Sequence, residues 1–241
     1  MAHAVLIHGL TSTPGQLAPL KESLVESGWH VHAPLLRGHG TTVADLVRCH
    51  WEDWYADVLA AVEDARSASS GEPIDVVGLS LGALLGLKLA IDYPTHMRRL
   101  VCLATPLYLY QWANVLLAGL RYTPIGWFVS QWPKNFQLAV HDPEGQAVYR
   151  AAGYAHFPVP AVTELVKLQQ VVQAGLAQVQ TPLLVIHSRA DMTAPPRSAT
   201  AIEQTVGGPV DLCWLTHSYH VVTLDYDREL VAERVVKFFR D

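Results

Sequence analysis

Six short runs rich in β-branched and other apolar residues recur along the chain: residues 3–8 (HAVLIH), 29–34 (WHVHAP), 73–79 (PIDVVGL), 99–104 (RLVCLA), 182–187 (PLLVIH) and 210–216 (VDLCWLT). Patterns with helical spacing follow most of them, at about 14–27, 51–67, 81–93, 197–206 and 227–240. Strands that are apolar along their whole length, alternating with helices, predict a parallel sheet covered on both faces. Right-handed crossovers then bring the C-terminal ends of all strands to one edge, where such sheets bind ligands. The fold class is α/β.

One interval breaks the alternation. Residues 106–180 separate two strands that a single crossover of roughly 20 to 30 residues would join. The interval is rich in Trp, Tyr and Leu and punctuated by Pro124, Pro133, Pro143, Pro158 and Pro160. It predicts a helical cap, 106–180, inserted into a core domain of residues 1–105 and 181–241. Trp112, Trp127 and Trp132 would pack on the core or line an acyl pocket, where each buried methylene is worth about 0.8 kcal/mol. In 51–67, Trp51, Trp54, Tyr55, Val58 and Val62 share one helical face and read as a core stripe. Residues 67–73 (SASSGEP) read as a surface turn.

Composition narrows the function classes. Half of the 241 residues are hydrophobic and 16% are charged, enough apolar material for a large core. A net charge of −5 leaves no basic face for nucleic acid. The start, MAHAVLIHG, lacks a basic leader and reads as a first strand. Residues 112–129 are interrupted by Arg121 and Pro124, so they fall short of the roughly 20 apolar residues that span a bilayer. Cys49, Cys102 and Cys213 imply no disulfide framework, which suits a reducing compartment, and the expected location is cytoplasmic. Cys102 and Cys213 fall in strands expected to be buried. His30 and His32 share one strand face but lack a third ligand nearby, so no metal is expected. The stretch 37–40 (RGHG) lacks the context of a phosphate cradle, and no cofactor is implied. His8 and His39 beside the loops read as structural hydrogen-bonding groups.

The chemistry concentrates in residues 78–82, Gly-Leu-Ser-Leu-Gly, between a strand and an apolar helix. A serine on that sharp turn stands above the sheet edge at a helix N-terminus, where amide N–H groups favour negative charge. Glycines two before and two after it keep side chains out of the crowded bend. Ser80 is the candidate nucleophile; the alternative is that it merely caps the helix. An oxyanion hole would use the backbone N–H of Leu81 and of Leu10, the latter on the loop opened by Gly9, with Gly9 bordering the substrate pocket. The acid should end a later strand, which selects Asp191. Asp211 lies at the opposite strand end, and Asp225 and Asp227 follow the histidines. For the base, His217 and His220 both stand near the sheet edge. His220, three residues further into the loop, has more freedom to lean over it, and His217 stays open on these grounds.

These residues resemble the α/β-hydrolase superfamily, most closely the small bacterial carboxylesterases and monoacylglycerol lipases. The resemblance covers 6–40, WEDWYADV, VVGLSLGALLGLKLA, SRADMTAPPRSA and SYHVVTLDYDRE. It implies the α/β-hydrolase fold, assigns the acid to Asp191, and makes His220 the base, because that loop commonly reads Ser-Gly-His followed by Val-Ile-Thr-Leu-Asp. Tyr219 replaces the glycine, adding bulk and a hydroxyl at the pocket. The superfamily's earlier antiparallel strands are expected to be missing. The implied reaction is hydrolysis of a small ester with an apolar acyl chain through an acyl-enzyme. Thioester hydrolysis, acyl transfer, carbon–carbon cleavage and ligand binding without turnover are the alternatives. Activity should need neutral His220 and fall as pH drops through roughly 6 to 7.

Overall fold

The computed structural model describes residues 2–111, 113 and 131–241. Six strands form one parallel sheet: β1 (Ala2–Ile7), β2 (Trp29–His32), β3 (Ile74–Leu79), β4 (Met97–Leu103), β7 (Leu183–Ser188) and β8 (Val210–Leu215), in the order β2-β1-β3-β4-β7-β8. The six expected runs are these strands. β2 ends at His32, two residues short of Pro34, which has no N–H for a ladder.

The α-helices among the described residues are α1 (Ala18–Glu26), α2 (Val43–Leu46), α3 (Trp51–Ala68), α4 (Leu81–Asp92), α5 (Phe136–Ala139), α6 (Pro143–Ala151), α7 (Val159–Gly175), α8 (Arg197–Thr205) and α9 (Arg228–Arg240). Strand alternation sorts the core into two layers. Ala4, Leu6, Val77, Leu79, Val101 and Leu103 meet Leu20 and Leu24 of α1 and Val231, Val235 and Phe239 of α9. The other face, with Val5, Ile7, Val76, Leu100 and Cys102, packs on α3, α4, α7 and α8. Trp54, Val58 and Val62 are fully buried there, with Trp51 and Tyr55 at the margin, as their spacing predicts.

Between β4 and β7 the chain differs from an all-helical expectation. β5 (Gln131–Pro133) and β6 (His156–Pro158) pair antiparallel and frame α5 and α6. α7 then lays Ala161, Leu165, Leu168 and Val172 into the same cluster as α3 and α4. Trp112, Trp127, Arg121 and Pro124 lie outside the described residues, while Trp132 packs near Phe157 with ring centroids 6.2 Å apart. Cys102 is buried and its thiol pushed up to about 12 by burial, whereas Cys213 is only half-buried. No helix among the described residues is long and apolar enough to cross a membrane.

The chain runs from β1 outward to β2, then returns past β1 to β3. The crossovers therefore diverge between β1 and β3, opening a crevice at their C-terminal ends. Residues 8–12 and Ser80 sit at that crevice.

Candidate active site

Ser80 joins β3 to α4 with φ 55° and ψ −115°, a conformation that costs a non-glycine residue about 1–3 kcal/mol. Its neighbours hold it there. A Cβ on Gly78 would come within 2.2 Å of the Gly82 carbonyl, and one on Gly82 within 2.1 Å of the Ile7 carbonyl. Only glycine at both positions lets α4 start so close to β1 and β3. The Ser80 N–H donates to the Leu103 carbonyl across the sheet at 2.9 Å. Ser80 does not cap α4 with its side chain. Its Oγ instead stands 3.0 Å from His220 Nε2.

The His220 Nδ1 lies 2.8 Å from Asp191 Oδ2. Asp191 is fully buried, and its Oδ1 accepts the Thr193 and Ala194 N–H groups, both at 2.8 Å. Burial alone would raise its pKa, but the His220 ring, His187 and the Ala194 N–H outweigh burial and hold it below the usual carboxylate value. An ionised Asp191 accepts from Nδ1–H and leaves Nε2 as the acceptor for the Ser80 hydroxyl. Ser80, Asp191 and His220, far apart in sequence, thus form one hydrogen-bonded chain.

His217 is not part of it. Its ring lies outside, 3.3 Å from Asp227 Oδ1. The Tyr219 N–H donates to Asp225, and its ring stacks on His141 with centroids 4.7 Å apart. Tyr219 and His141 line an open groove with Thr216, His217, Tyr226 and Asp227, and Ser80 does not border it.

Gly9 lies against the serine turn, and a Cβ there would stand 3.4 Å from Ser80 Cβ. The following loop is fixed through its carbonyls. His8 Nδ1–H donates to the Gly9 carbonyl at 2.9 Å while His8 Nε2 accepts the Leu36 N–H at 3.1 Å. The Thr11 hydroxyl donates to the Leu10 carbonyl at 2.5 Å. The Tyr154 N–H and Lys134 Nζ both donate to the Thr11 carbonyl, at 2.9 and 3.0 Å. The Leu10 and Leu81 N–H groups have no acceptor among the described residues. Burial and the His39 ring push His8 down to about 3, so it stays neutral, as its two bonds require.

Asp225, set aside as the acid because it follows the histidine, organises the loop that carries His220. Fully buried, it accepts four backbone N–H groups: His141 and Tyr219 on Oδ2 at 2.8 Å, and Asp142 and Tyr226 on Oδ1 at 2.9 Å. It ties the His220 loop to the segment between α5 and α6, where the Ala139 carbonyl also accepts the His220 and Val221 N–H groups. His30 and His32 are joined by His3, with ring centroids 5.0 to 5.4 Å apart, and no metal-ligating group of three forms among the described residues.

Residues 1–227 match the model of the Hydrolase_4 family, described as serine aminopeptidase, S33. A thermostable monoacylglycerol lipase of Bacillus sp. (strain H-257) is 31% identical over 98% of this chain and 89% of its own. A carboxylesterase of Bacillus subtilis (strain 168) is 28% identical over 97% of this chain and 90% of its own. The solved structure of a metagenome-derived lipolytic enzyme, from work on LipS and LipT, superposes with a TM-score of 0.88 at 30% identity, covering 99% of this chain and 93% of that one. The chain belongs to the Hydrolase_4 family of α/β-hydrolases, an enzyme of the carboxylesterase and monoacylglycerol lipase group.

Proposed function

We propose that the protein hydrolyses carboxylic esters of short- to medium-chain acids, monoacylglycerols among them, through an acyl-enzyme on Ser80. The observation that carries this reading is the continuous chain from Ser80 Oγ through the His220 ring to Asp191, at 3.0 and 2.8 Å. His220 Nε2 takes the Ser80 hydroxyl proton as Oγ attacks the ester carbonyl. The carbonyl oxygen becomes an oxyanion held by the Leu10 and Leu81 N–H groups, the latter at the N-terminus of α4. Asp191 stabilises the imidazolium. The tetrahedral centre collapses, the carbon–oxygen bond to the alcohol breaks, and His220 returns the proton to the leaving alkoxide. His220 then deprotonates a water that attacks the acyl-Ser80 carbonyl, releasing the acid and restoring the hydroxyl.

Gly9 forms the pocket floor in this reading, and Tyr219 acts through its backbone by anchoring the histidine loop. Residues 106–180 form a cap on a core of 1–105 and 181–241, with α7 as the crossover that returns the chain to β7. No cofactor is needed, because every proton moves between Ser80, His220, water and the substrate.

The test is a series of p-nitrophenyl esters from acetate to palmitate, with 1-monoacylglycerols and aminoacyl p-nitroanilides alongside. Turnover of esters with a chain-length optimum, lost in Ser80→Ala, supports the reading. Preferential cleavage of the anilides would instead favour peptide hydrolysis, the activity in the family's description.

A further inference from the structure

We propose that Lys134, on the segment after β5, is a positioning residue for catalysis: its Nζ, as a hydrogen-bond donor, holds the loop that carries the Leu10 oxyanion donor in a strained turn, so that the cap sets the oxyanion hole. The proposal rests on the reading of Ser80 as nucleophile and Leu10 N–H as oxyanion donor.

Residues 9–12 make a four-residue turn closed by the Ser12 N–H on the Gly9 carbonyl at 3.3 Å. Its third residue, Thr11, has φ 60°. A turn with positive φ at that position normally takes glycine there, and a β-branched residue resists it. Something must hold Thr11 in place, and the contacts converge on its carbonyl. Lys134 Nζ donates to that oxygen at 3.0 Å and the Tyr154 N–H at 2.9 Å. The chain beside Tyr154 approaches so closely that a Cβ on Gly153 would lie 2.2 Å from the same oxygen. The Ser12 hydroxyl reaches back to the Ala152 carbonyl at 3.3 Å.

Lys134 is an expensive residue to place there. Its side chain is buried, with Nζ 4.7 Å from the centre of the Tyr149 ring and 5.2 Å from that of Phe157. No carboxylate pairs with it among the described residues. Burial pushes it down to about 7. A buried lysine without a carboxylate partner lowers stability, charged or neutral, so its one side-chain hydrogen bond among the described residues, to the loop beside the nucleophile, accounts for its presence better than packing does. Release of the Thr11 carbonyl lets the turn relax out of positive φ. The peptide carrying the Leu10 N–H then shifts relative to Ser80, and errors of about 1 Å in such a donor cost on the order of 100-fold in rate.

The decisive comparison is Lys134→Met, which keeps the length of the side chain and removes the charge and the donor. Steady-state kinetics on a p-nitrophenyl ester should show kcat lowered about 10- to 100-fold with KM within about twofold, since the oxyanion forms only after binding. The melting temperature should stay level or rise. In a Thr11→Gly background, where positive φ costs nothing, the same substitution should cost less. A kcat within twofold of wild type would overturn the role of Lys134. So would equal losses in kcat in both backgrounds accompanied by a lower melting temperature, the signature of a structural residue. Lys134→Leu is read by the same criteria if Lys134→Met does not yield folded protein. Turnover surviving Ser80→Ala would instead overturn the reading of the site itself.

Discussion

Asp191 and His220 meet in a 2.8 Å hydrogen bond between two side chains that are almost entirely withdrawn from solvent. The second carboxylate oxygen of Asp191 is occupied by two backbone N–H groups, so the acid cannot rotate away from the imidazole. In the proposed mechanism this fixes the tautomer of His220 and with it the direction of proton flow from Ser80.

Replacing Asp191 by Asn keeps the shape and removes the charge. The amide can offer N–H to Nδ1, which drives the ring's proton to Nε2, the wrong side for accepting from Ser80. We expect kcat on esters to fall about 10³- to 10⁴-fold with KM little changed, measured by steady-state kinetics at neutral pH. A loss below tenfold would show that the tautomer is set by something other than Asp191.

Asp225 should matter to both stability and turnover. Its two buried oxygens accept four backbone N–H groups, two from the histidine loop and two from the segment between α5 and α6. Asp225→Asn leaves one acceptor oxygen and points two N–H donors at other N–H groups. The expected cost is about 2–4 kcal/mol, a drop in melting temperature of roughly 5–15 °C. Loss of His220 alignment should lower kcat as well. A variant with unaltered melting temperature would contradict this account of the loop.

Stability should decline in acid for a definable reason. His8 has a folded pKa of about 3 and His39 of about 4, both lowered first by burial, against 6.5 when unfolded. Below about pH 6.5 the unfolded chain takes up protons that the folded chain refuses, so the stability present above that value is lost progressively towards pH 4. Lys134, lowered from 10.5 to about 7, adds a slope of the same sign at higher pH, between those two values. Urea unfolding at pH 7 and pH 5 should give several kcal/mol less at pH 5, and His39→Asn should show a shallower dependence. Equal slopes for the two proteins would exclude His39 from the effect.

The core of the molecule was legible because its strands are apolar throughout and its helices follow at regular intervals. Ser80 was legible because the close approaches at Gly78 and Gly82 leave a pattern of fixed spacing. Other features left no such pattern. β5 and β6 are three-residue segments that each end in proline, a residue that argues against a strand in the sequence. Asp225 works by accepting backbone N–H groups, and the chain order that excludes it as the acid of a triad says nothing of that role. Lys134 sits more than a hundred residues from Thr11, and no local periodicity connects them. Between His217 and His220, reach gave only a preference and the resemblance of the loop 218–225 chose His220; in the structure His217 lies beside Asp227 while His220 bridges Asp191 and Ser80.

The central claim is that His220, oriented by Asp191, activates Ser80 as a nucleophile. The most direct measurement is covalent labelling with a fluorophosphonate, followed by peptide mass spectrometry to locate the adduct. The account predicts one adduct per chain, on Ser80, forming rapidly in wild type and slowed by orders of magnitude in His220→Ala. An adduct on another residue, or labelling of Ser80 at the same rate without His220, would contradict it.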